Sequence, residues 1–286
     1  MSLSVNLGLV LALLTAFGSV AGFLYKFRGA REAPSVELSH PWRSTVDLFR
    51  SPLYTLGILI ALGSWGFHVG ALALAPISLV QSVIAGGLVL LTVVADKLFG
   101  IAVTRREWVG VGLTAAGLAF LAGTLAGDAG SAHSRYDPTA LAVFLAAVGA
   151  VGLLLAFAPR RPGMLAVSAG LLWATSDTSI KALSSHLDAL GVGVVVHPLA
   201  LGILVASLVG LLISARSLQL GDAVPMIALT SAAANLTTIA AGPLVFGEPM
   251  PASRLGVIVR VFAFACVIVA AALTPPPAAD QAPRAS

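Results

Sequence analysis

The chain has 286 residues, of which 58% are hydrophobic and only 10% are charged. A soluble domain carries about 25% charged residues, so this composition excludes a soluble fold and indicates an integral membrane protein. The net charge of +4 does not indicate a nucleic-acid partner, because almost every Lys and Arg lies beside an apolar stretch, and a lone Cys266 excludes a disulfide framework.

Nine apolar stretches have the length of about 20 residues that a helix needs to cross a bilayer. We predict them as spans 1 to 9, which are residues 5–25, 53–74, 78–97, 107–126, 139–158, 163–184, 192–214, 222–246 and 254–274. Basic residues follow the first span and none precedes it, which favours a retained helix over a cleaved signal peptide. The predicted fold class is therefore all-α, a polytopic membrane protein with nine transmembrane helices.

Two segments are not predicted to span. In residues 41–50, Trp42, Val46 and Phe49 recur at i, i+4 and i+7 beside Arg43 and Arg50. This pattern is typical of a short helix in the cytoplasmic membrane interface, and an ordinary connecting loop is the alternative. Residues 275–286 have the composition of a disordered tail.

An internal repeat organises the spans. Residues 72–100 and 218–247 both begin with Leu-x-Leu, continue with a Pro and an apolar run, and end with Phe-Gly, 146 to 147 residues apart. Spans 1–4 and 6–9 then form two repeats joined by span 5. An odd number of crossings separates the repeats, so the second is inverted, as in many transporters. The expected units are residues 1–126, the linking segment 127–158, residues 159–274 and the tail 275–286.

The basic residues predict the orientation. The loops on one side, together with the tail, hold twelve Lys and Arg, whereas the loops on the other side hold only Arg135 and Arg254. Because cytoplasmic loops carry the excess of Lys and Arg, we expect the N-terminus outside and the C-terminus in the cytoplasm. The expected location is a bacterial-type plasma membrane, which the chain crosses many times.

Ionisable residues inside spans are candidates for function, since each costs about 3 kcal/mol at mid-membrane and persists only when it is paired or useful. They are Asp177, Lys181, His68, His197 and Arg260, all in the predicted outer half. We expect the first four to bind solute, with Arg260 secondary and Asp177 the candidate metal ligand. The alternatives are that Asp177 and Lys181 neutralise each other at i, i+4, that Arg260 snorkels to the interface, and that the histidines pack.

Spans 3 and 8 also carry stripes of small and polar residues. The stripes are Ser78, Gln81, Ser82, Ala85 and Gly86 in span 3, and Ser231, Asn235, Thr238 and Gly242 in span 8. Such stripes are typical of close helix packing. The amides of Gln81 and Asn235 are larger than packing requires, so we predict that they line a solute pathway, with Ser82, Ser231 and Thr238 as secondary candidates. We interpret Asp222 as the N-cap of span 8, with Glu248 at its other end.

Several short motifs resemble a known group of transporters. GEP at 247–249 and APISLVQS at 75–82 resemble the drug/metabolite transporter (DMT, EamA-like) superfamily. Within it, the 4+1+4 layout is similar to the NIPA-type magnesium transporter family, as are four short matches: Gly18-Ser19 followed by Lys26, ALAP at 73–76, Ser179-Ile180-Lys181 and His197-Pro198-Leu199. The resemblance implies alternating access with Mg²⁺ as the transported ion.

One departure from that family concerns the substrate. Trp65 and His68 stand where similar chains tend to have Glu and Asn. A hydrated Mg²⁺ prefers oxygen ligands, including one or two carboxylates, and Asp177 is the only acid firmly inside a predicted span. The residues themselves therefore favour an organic or anionic solute, whereas the resemblance implies magnesium.

Three classes of function follow. The first is a transporter, either for Mg²⁺ or for an organic metabolite or drug that is coupled to a proton. The second is a membrane enzyme acting on lipid, with His68, His197 and Asp177 as its site. The third is a scaffold, which is disfavoured because the loops hold no soluble domain. No phosphate loop, HExxH or GxSxG motif occurs, so we predict no enzyme and no resident cofactor. The expected partners are the lipid bilayer and a small solute or ion, and a homodimer stays an open alternative.

Overall fold

All regular secondary structure in the described part of the chain is helical. The computed structural model describes residues 3–81, 83–84, 94, 104–105, 108–110, 112–113, 116–117, 135–157, 161–248, 253–259 and 262, and among these no strand occurs. The longer elements are α1 (Leu3–Glu32), α2 (Pro41–Phe49), α3 (Pro52–Leu74), α4 (Pro138–Ala156), α5 (Pro162–Ser184), α6 (Leu187–Leu190), a 3₁₀ helix (Gly191–Val196), α7 (Pro198–Leu220) and α8 (Ala223–Val245). The predicted all-α class is confirmed for these residues.

Five of these helices are long and apolar enough to cross a membrane: α1, α3, α4, α7 and α8. Helix α5 has the same length as α3 but carries Asp177, Lys181 and several Ser and Thr residues. Large apolar side chains cover the outward faces of α1, α3 and α7, among them Leu7, Phe17, Leu59, Leu62, Leu201 and Leu208. Such faces are consistent with contact to lipid. Predicted spans 3, 4 and 9 and the tail lie largely or wholly outside the described residues.

Proline marks several of the helix starts. Pro52, Pro138 and Pro162 each occupy the first turn of a helix, where the missing N–H costs nothing. Ser51 and Asp137 precede two of them and accept cap hydrogen bonds from Tyr54 N at 3.3 Å and Ala140 N at 2.7 Å. The bounds of predicted spans 2, 5, 6 and 8 agree with those of α3, α4, α5 and α8 to within two residues.

Three span boundaries were predicted wrongly: the end of span 1 and both ends of span 7, since α7 continues to Leu220. Helix α1 continues to Glu32, seven residues beyond span 1, because charged residues are good helix formers and the first breaker is Pro34. Lys26 therefore lies inside the helix and is buried, not in a loop. Span 7 was predicted from residue 192, but α7 begins at Pro198 with His197 as its N-cap. A 3₁₀ helix occupies the residues before it.

Segment 41–50 is a helix and not a loop. In α2, Ser44 and Leu48 are buried, whereas Trp42 is 80% exposed and Val46 and Phe49 are also exposed. The exposed apolar side chains lie on one face, as expected for a helix at a membrane surface.

Helices α1 and α3 run antiparallel and approach closely along glycines. A Cβ at Gly29 would overlap the Tyr54 backbone, and one at Gly22 would lie 3.1 Å from the Gly57 carbonyl oxygen. Between these levels and the start of α1, Ser64 Oγ donates to the Thr15 carbonyl at 2.9 Å. Small residues thus allow close backbone contact and a hydroxyl bridges the two helices, a pattern typical of membrane helices.

Helix α5 is the centre of the described bundle. It packs against α4, α7 and α8 and also contacts α3. A Cβ at Gly170 would overlap the Thr230 carbonyl of α8, and Ser176 Oγ lies 3.0 Å from Ser207 Oγ of α7. The start of α1 and the ends of α3 and α5 meet at one end of the bundle, while the ends of α1 and α7 meet at the other.

Candidate functional site

The site is built around a break in the chain after α3. Pro76 has no N–H and disfavours helical backbone at the residue before it, so Ala75 is extended, with φ −138° and ψ 160°. Helical structure resumes at residue 77. The carbonyl of Leu72 would normally accept a hydrogen bond from the N–H at position 76, which proline lacks. The break therefore leaves carbonyl groups that need another donor.

Lys181 of α5 supplies the donor. Its ammonium donates to the carbonyl oxygens of Leu72 at 2.7 Å and Ala75 at 2.8 Å, and the residue is completely buried. The Glu248 carboxylate interacts electrostatically with this ammonium. Lys181 consequently joins the end of α3 to the end of α5.

Glu248 is a buried acid that the sequence analysis did not place in the membrane. It is 4% exposed, and its carboxylate accepts hydrogen bonds from the Ser78 hydroxyl and, at 3.5 Å, from the Ser78 N–H. Gly247 before it has φ +61°, a conformation that favours glycine, and Glu248 N donates to the Gly242 carbonyl at 3.1 Å. A second acid besides Asp177 is therefore buried in the described bundle, next to the end of predicted span 8. The GEP motif was the available signal, because its glycine turns the acid back onto α8.

Asp177 lies at the centre of a second polar cluster. Its Oδ1 is 2.9 Å from His68 Nε2 on α3, and its Oδ2 accepts a hydrogen bond of 2.9 Å from Gln81 Nε2. His68 and Gln81 are buried, while the Asp177 side chain is 16% exposed. We call these three residues the Asp177 cluster. It joins α3, α5 and the segment after Pro76.

The hydrogen-bond partners indicate which tautomer a neutral His68 adopts. Because an ionised Asp177 is only an acceptor, a neutral His68 carries its proton on Nε2 and donates it to the carboxylate. His68 Nδ1 is fully buried and has no hydrogen-bond partner among the described residues. An unsatisfied buried acceptor costs about 1–3 kcal/mol, so the cluster retains an unused hydrogen-bonding group.

Asp177 and Lys181 do not neutralise each other as the i, i+4 spacing allowed. Lys181 binds backbone carbonyls, whereas Asp177 binds His68 and Gln81. The two residues belong to neighbouring clusters one turn apart on α5.

The hydrogen bond of His197 is local to α7. Its Nδ1 accepts a hydrogen bond from Leu199 N at 3.2 Å as the N-cap of α7, and its ring centroid is 4.9 Å from that of His186. Within the described part of the chain no hydrogen bond joins it to Asp177. The predicted placement of His197 inside a span is therefore corrected to a helix start.

The polar residues of the stripe predicted on α8 differ in burial and in hydrogen bonding. Thr238 is buried and its hydroxyl donates to the Ala234 carbonyl of its own helix at 2.7 Å, which is a packing arrangement. Asn235 is 4% exposed, and no hydrogen bond to its amide occurs among the described residues; Ser231 is half-buried. Asp222 is at the N-cap position of α8, but its side chain makes no cap hydrogen bond and lies 3.9 Å from Arg31 Nη2. Ser82 and Arg260 are outside the described residues.

The donor set at Asp177 bears on metal binding. Within the described ranges no group of three or more His, Cys, Asp or Glu residues is placed to hold a metal ion. Both Asp177 oxygens accept hydrogen bonds from protein donors. Asp177 as a metal ligand stays a prediction of the sequence.

Comparison of the chain with known proteins finds no similar protein. The chain matches no model of a protein family, no curated protein and no solved structure. The likeness to the drug/metabolite and NIPA-type transporters therefore depends on the sequence motifs alone.

Proposed function

We propose that this chain is a membrane transporter that moves a small organic solute by alternating access, with the Asp177 cluster at its central site. The observation that carries the proposal is the contact of Asp177 with His68 and Gln81. His68 and Gln81 belong to the first predicted repeat and Asp177 to the second. Transporters built from inverted repeats bind their substrates where the repeats meet.

The directions of the helices support inverted repeats. Helices α1 and α3 form one antiparallel pair, and α5 and α7 form another. In the proposed repeats α1 corresponds to α5, and the start of α1 lies at the same end of the bundle as the end of α5. The corresponding helices therefore run in opposite directions.

The chemistry of the Asp177 cluster favours a solute that donates hydrogen bonds. Each carboxylate oxygen has two acceptor positions, so Asp177 retains acceptor capacity beside its two protein donors. His68 Nδ1 is a further unused acceptor. An organic ammonium group fits these acceptors, and a proton is the proposed coupling ion. Magnesium, which the family resemblance implies, is the alternative substrate.

Flux into proteoliposomes tests the proposal. The purified chain should pass at least one member of a panel of organic amines and Mg²⁺ down its gradient. Asp177→Asn should slow that flux by about 10-fold or more, because an amide does not replace a carboxylate in a charge-assisted hydrogen bond. Asp47→Asn is the matched control, since Asp47 pairs with Arg50 on α2 at 2.9 Å. No flux above empty liposomes for the whole panel would refute transport.

Growth of a magnesium-starved bacterial strain separates the two substrates. Rescue by the wild-type chain that is lost with Asp177→Asn supports magnesium, whereas absence of rescue favours the organic solute. The enzyme hypothesis needs His197 beside His68 and Asp177. Among the described residues His197 hydrogen-bonds to Leu199 N at the start of α7, and no hydrogen bond joins it to Asp177 or His68.

We also propose the finer placement that the sequence predicts: nine spans in a bacterial-type plasma membrane, with the N-terminus outside and the C-terminus in the cytoplasm. The excess of Lys and Arg on one side supports this orientation.

A further inference from the structure

Lys26 is a buried cation that the proposed site does not use. It is 6% exposed, and no hydrogen bond or ion pair to its ammonium occurs among the described residues. Its Nζ lies 4.1 Å from the ring centroid of Phe23 and 5.5 Å from that of Trp173. Attraction to aromatic rings is weaker than the cost of removing an ammonium from water, so these contacts leave the charge undercompensated.

The surroundings of Lys26 are shaped to hold it. A Cβ at Gly57 of α3 would lie 2.8 Å from Lys26 Cγ, and a Cβ at Gly210 of α7 would lie 2.8 Å from Trp173 Nε1. The rings of Phe23 and Trp173 are 5.4 Å apart and tilted by 53°. The glycine on α3 thus leaves space for the Lys26 stem, and the glycine on α7 leaves space for the Trp173 indole. Helices α1, α3, α5 and α7 all contribute to this arrangement.

We propose that Lys26, Phe23 and Trp173 form a subsite for the carboxylate of the transported organic solute. This inference rests on the proposed transport function. Trp173 and Asp177 are four residues, about 6 Å, apart along α5, whereas Gly57, which packs on the Lys26 stem, precedes His68 by eleven residues, about 16 Å, along α3. A solute that contacts both Asp177 and Lys26 must therefore be an elongated molecule with an acidic group at one end.

The chemistry of the subsite favours a carboxylate over an inorganic anion. Lys26 supplies one positive charge and three donors, which match a singly charged carboxylate. The rings of Phe23 and Trp173 offer apolar surface to the body of an organic acid. A phosphate dianion requires more donors and is better matched by arginine groups, and it is more expensive to remove from water.

Calorimetric titration of the purified full chain in detergent tests this subsite, with sodium benzoate as the probe. The wild type should bind benzoate, and Lys26→Met should bind it at least about 10-fold more weakly, the ratio expected for loss of one charge-assisted hydrogen bond. Lys26→Arg keeps the charge and should retain most of the affinity. Arg31→Met is the matched control, because Arg31 is on the same helix with a side chain that is 50% exposed.

Three results would overturn the subsite: no benzoate binding by the wild type, an equal loss with Arg31→Met, or tighter binding of inorganic phosphate than of benzoate. If Lys26→Met does not fold, Trp173→Leu provides the comparison, since it removes the indole and leaves the charge. Flux measurements separate this inference from the proposed function. Benzoate binding without any solute flux contradicts transport, whereas flux that Lys26→Met leaves unchanged contradicts the subsite.

Discussion

Lys181 caps the interrupted end of α3 by donating a hydrogen bond of 2.7 Å to the Leu72 carbonyl oxygen. The interruption arises because Pro76 cannot supply the N–H that this carbonyl would otherwise bind. One proline and one lysine, 105 positions apart in the sequence, thus form a single structural unit at the contact between the two predicted repeats.

Replacement of Lys181 is expected to destabilise the protein strongly. Lys181→Met leaves the carbonyls of Leu72 and Ala75 without their donor and leaves Glu248 without its positive charge partner, a loss of about 3–5 kcal/mol. Unfolding in detergent should show a large decrease in the midpoint. Arg50→Met, at a side chain that is 76% exposed, is the control and should have little effect. Equal midpoints for the two variants would show that the carbonyl contacts do not stabilise the fold.

The pairing of Lys181 with Pro76 makes a sharper prediction. An alanine at position 76 has an N–H that can bind the Leu72 carbonyl, so Pro76→Ala should reduce the cost of Lys181→Met. A double-mutant cycle measured by unfolding should give a coupling energy of about 0.5–3 kcal/mol. Additive effects of the two substitutions would show that Lys181 does not compensate for the N–H that Pro76 lacks.

These relations show where sequence reasoning succeeds and where it stops. The starts of α3, α4 and α5 agree with the predicted spans to within one residue, and Pro52, Pro138 and Pro162 mark them locally within one turn. The end of α1 and both ends of α7 were not predicted, because apolar length does not decide where a helix begins or ends; α7 begins only at Pro198 although residues 192–196 are largely apolar. The thickness of the bilayer sets the length of a span, whereas a helix continues until a helix-breaking residue such as Pro34 occurs.

The candidate site shows the same division. Asp177, His68 and Gln81 were predicted as candidate site residues because each places a polar group inside an apolar span. The free-energy cost of such a group can be inferred from the sequence. The contacts of Lys181 and Glu248 could not be predicted from the sequence. A backbone carbonyl has no sequence signature, and Glu248 lies two residues beyond the end of predicted span 8. Lys26 was assigned to a loop because it follows the apolar core of span 1, although the structure buries it.

Two glycine substitutions test the packing of α1 on α3. A Cβ at Gly29 would overlap the Tyr54 backbone, whereas no atom lies within 4 Å of a Cβ at Gly63. Gly29→Ala should therefore lower the unfolding midpoint, and Gly63→Ala should raise it slightly, by up to about 1 kcal/mol of helix propensity. If both variants behave alike, the close approach at Gly29 does not hold the helices together.

Two substitutions on α8 separate the solute pathway from packing. Thr238 hydrogen-bonds its own helix, so Thr238→Val should leave solute flux unchanged. Asn235→Ala removes a buried amide for which the described residues provide no hydrogen bond, so it should reduce flux without loss of stability. Flux and unfolding should be measured on the same preparations. A loss of stability with normal flux would assign Asn235 to packing.

Cysteine labelling tests the inverted arrangement directly. Cys266 is the only cysteine, so Cys266→Ser provides a background for single new cysteines. Ser39 follows α1, and Val192, which is 93% exposed, follows α5. Because α1 and α5 are the first helices of oppositely oriented repeats, Ser39→Cys should react with an impermeant maleimide only from the cytoplasmic side and Val192→Cys only from outside. Both positions have polar or exposed surroundings, so reactivity reports the side of the membrane. Reaction of both cysteines from the same side would place α1 and α5 in the same direction, and the shared binding site between opposed repeats would then have no structural basis.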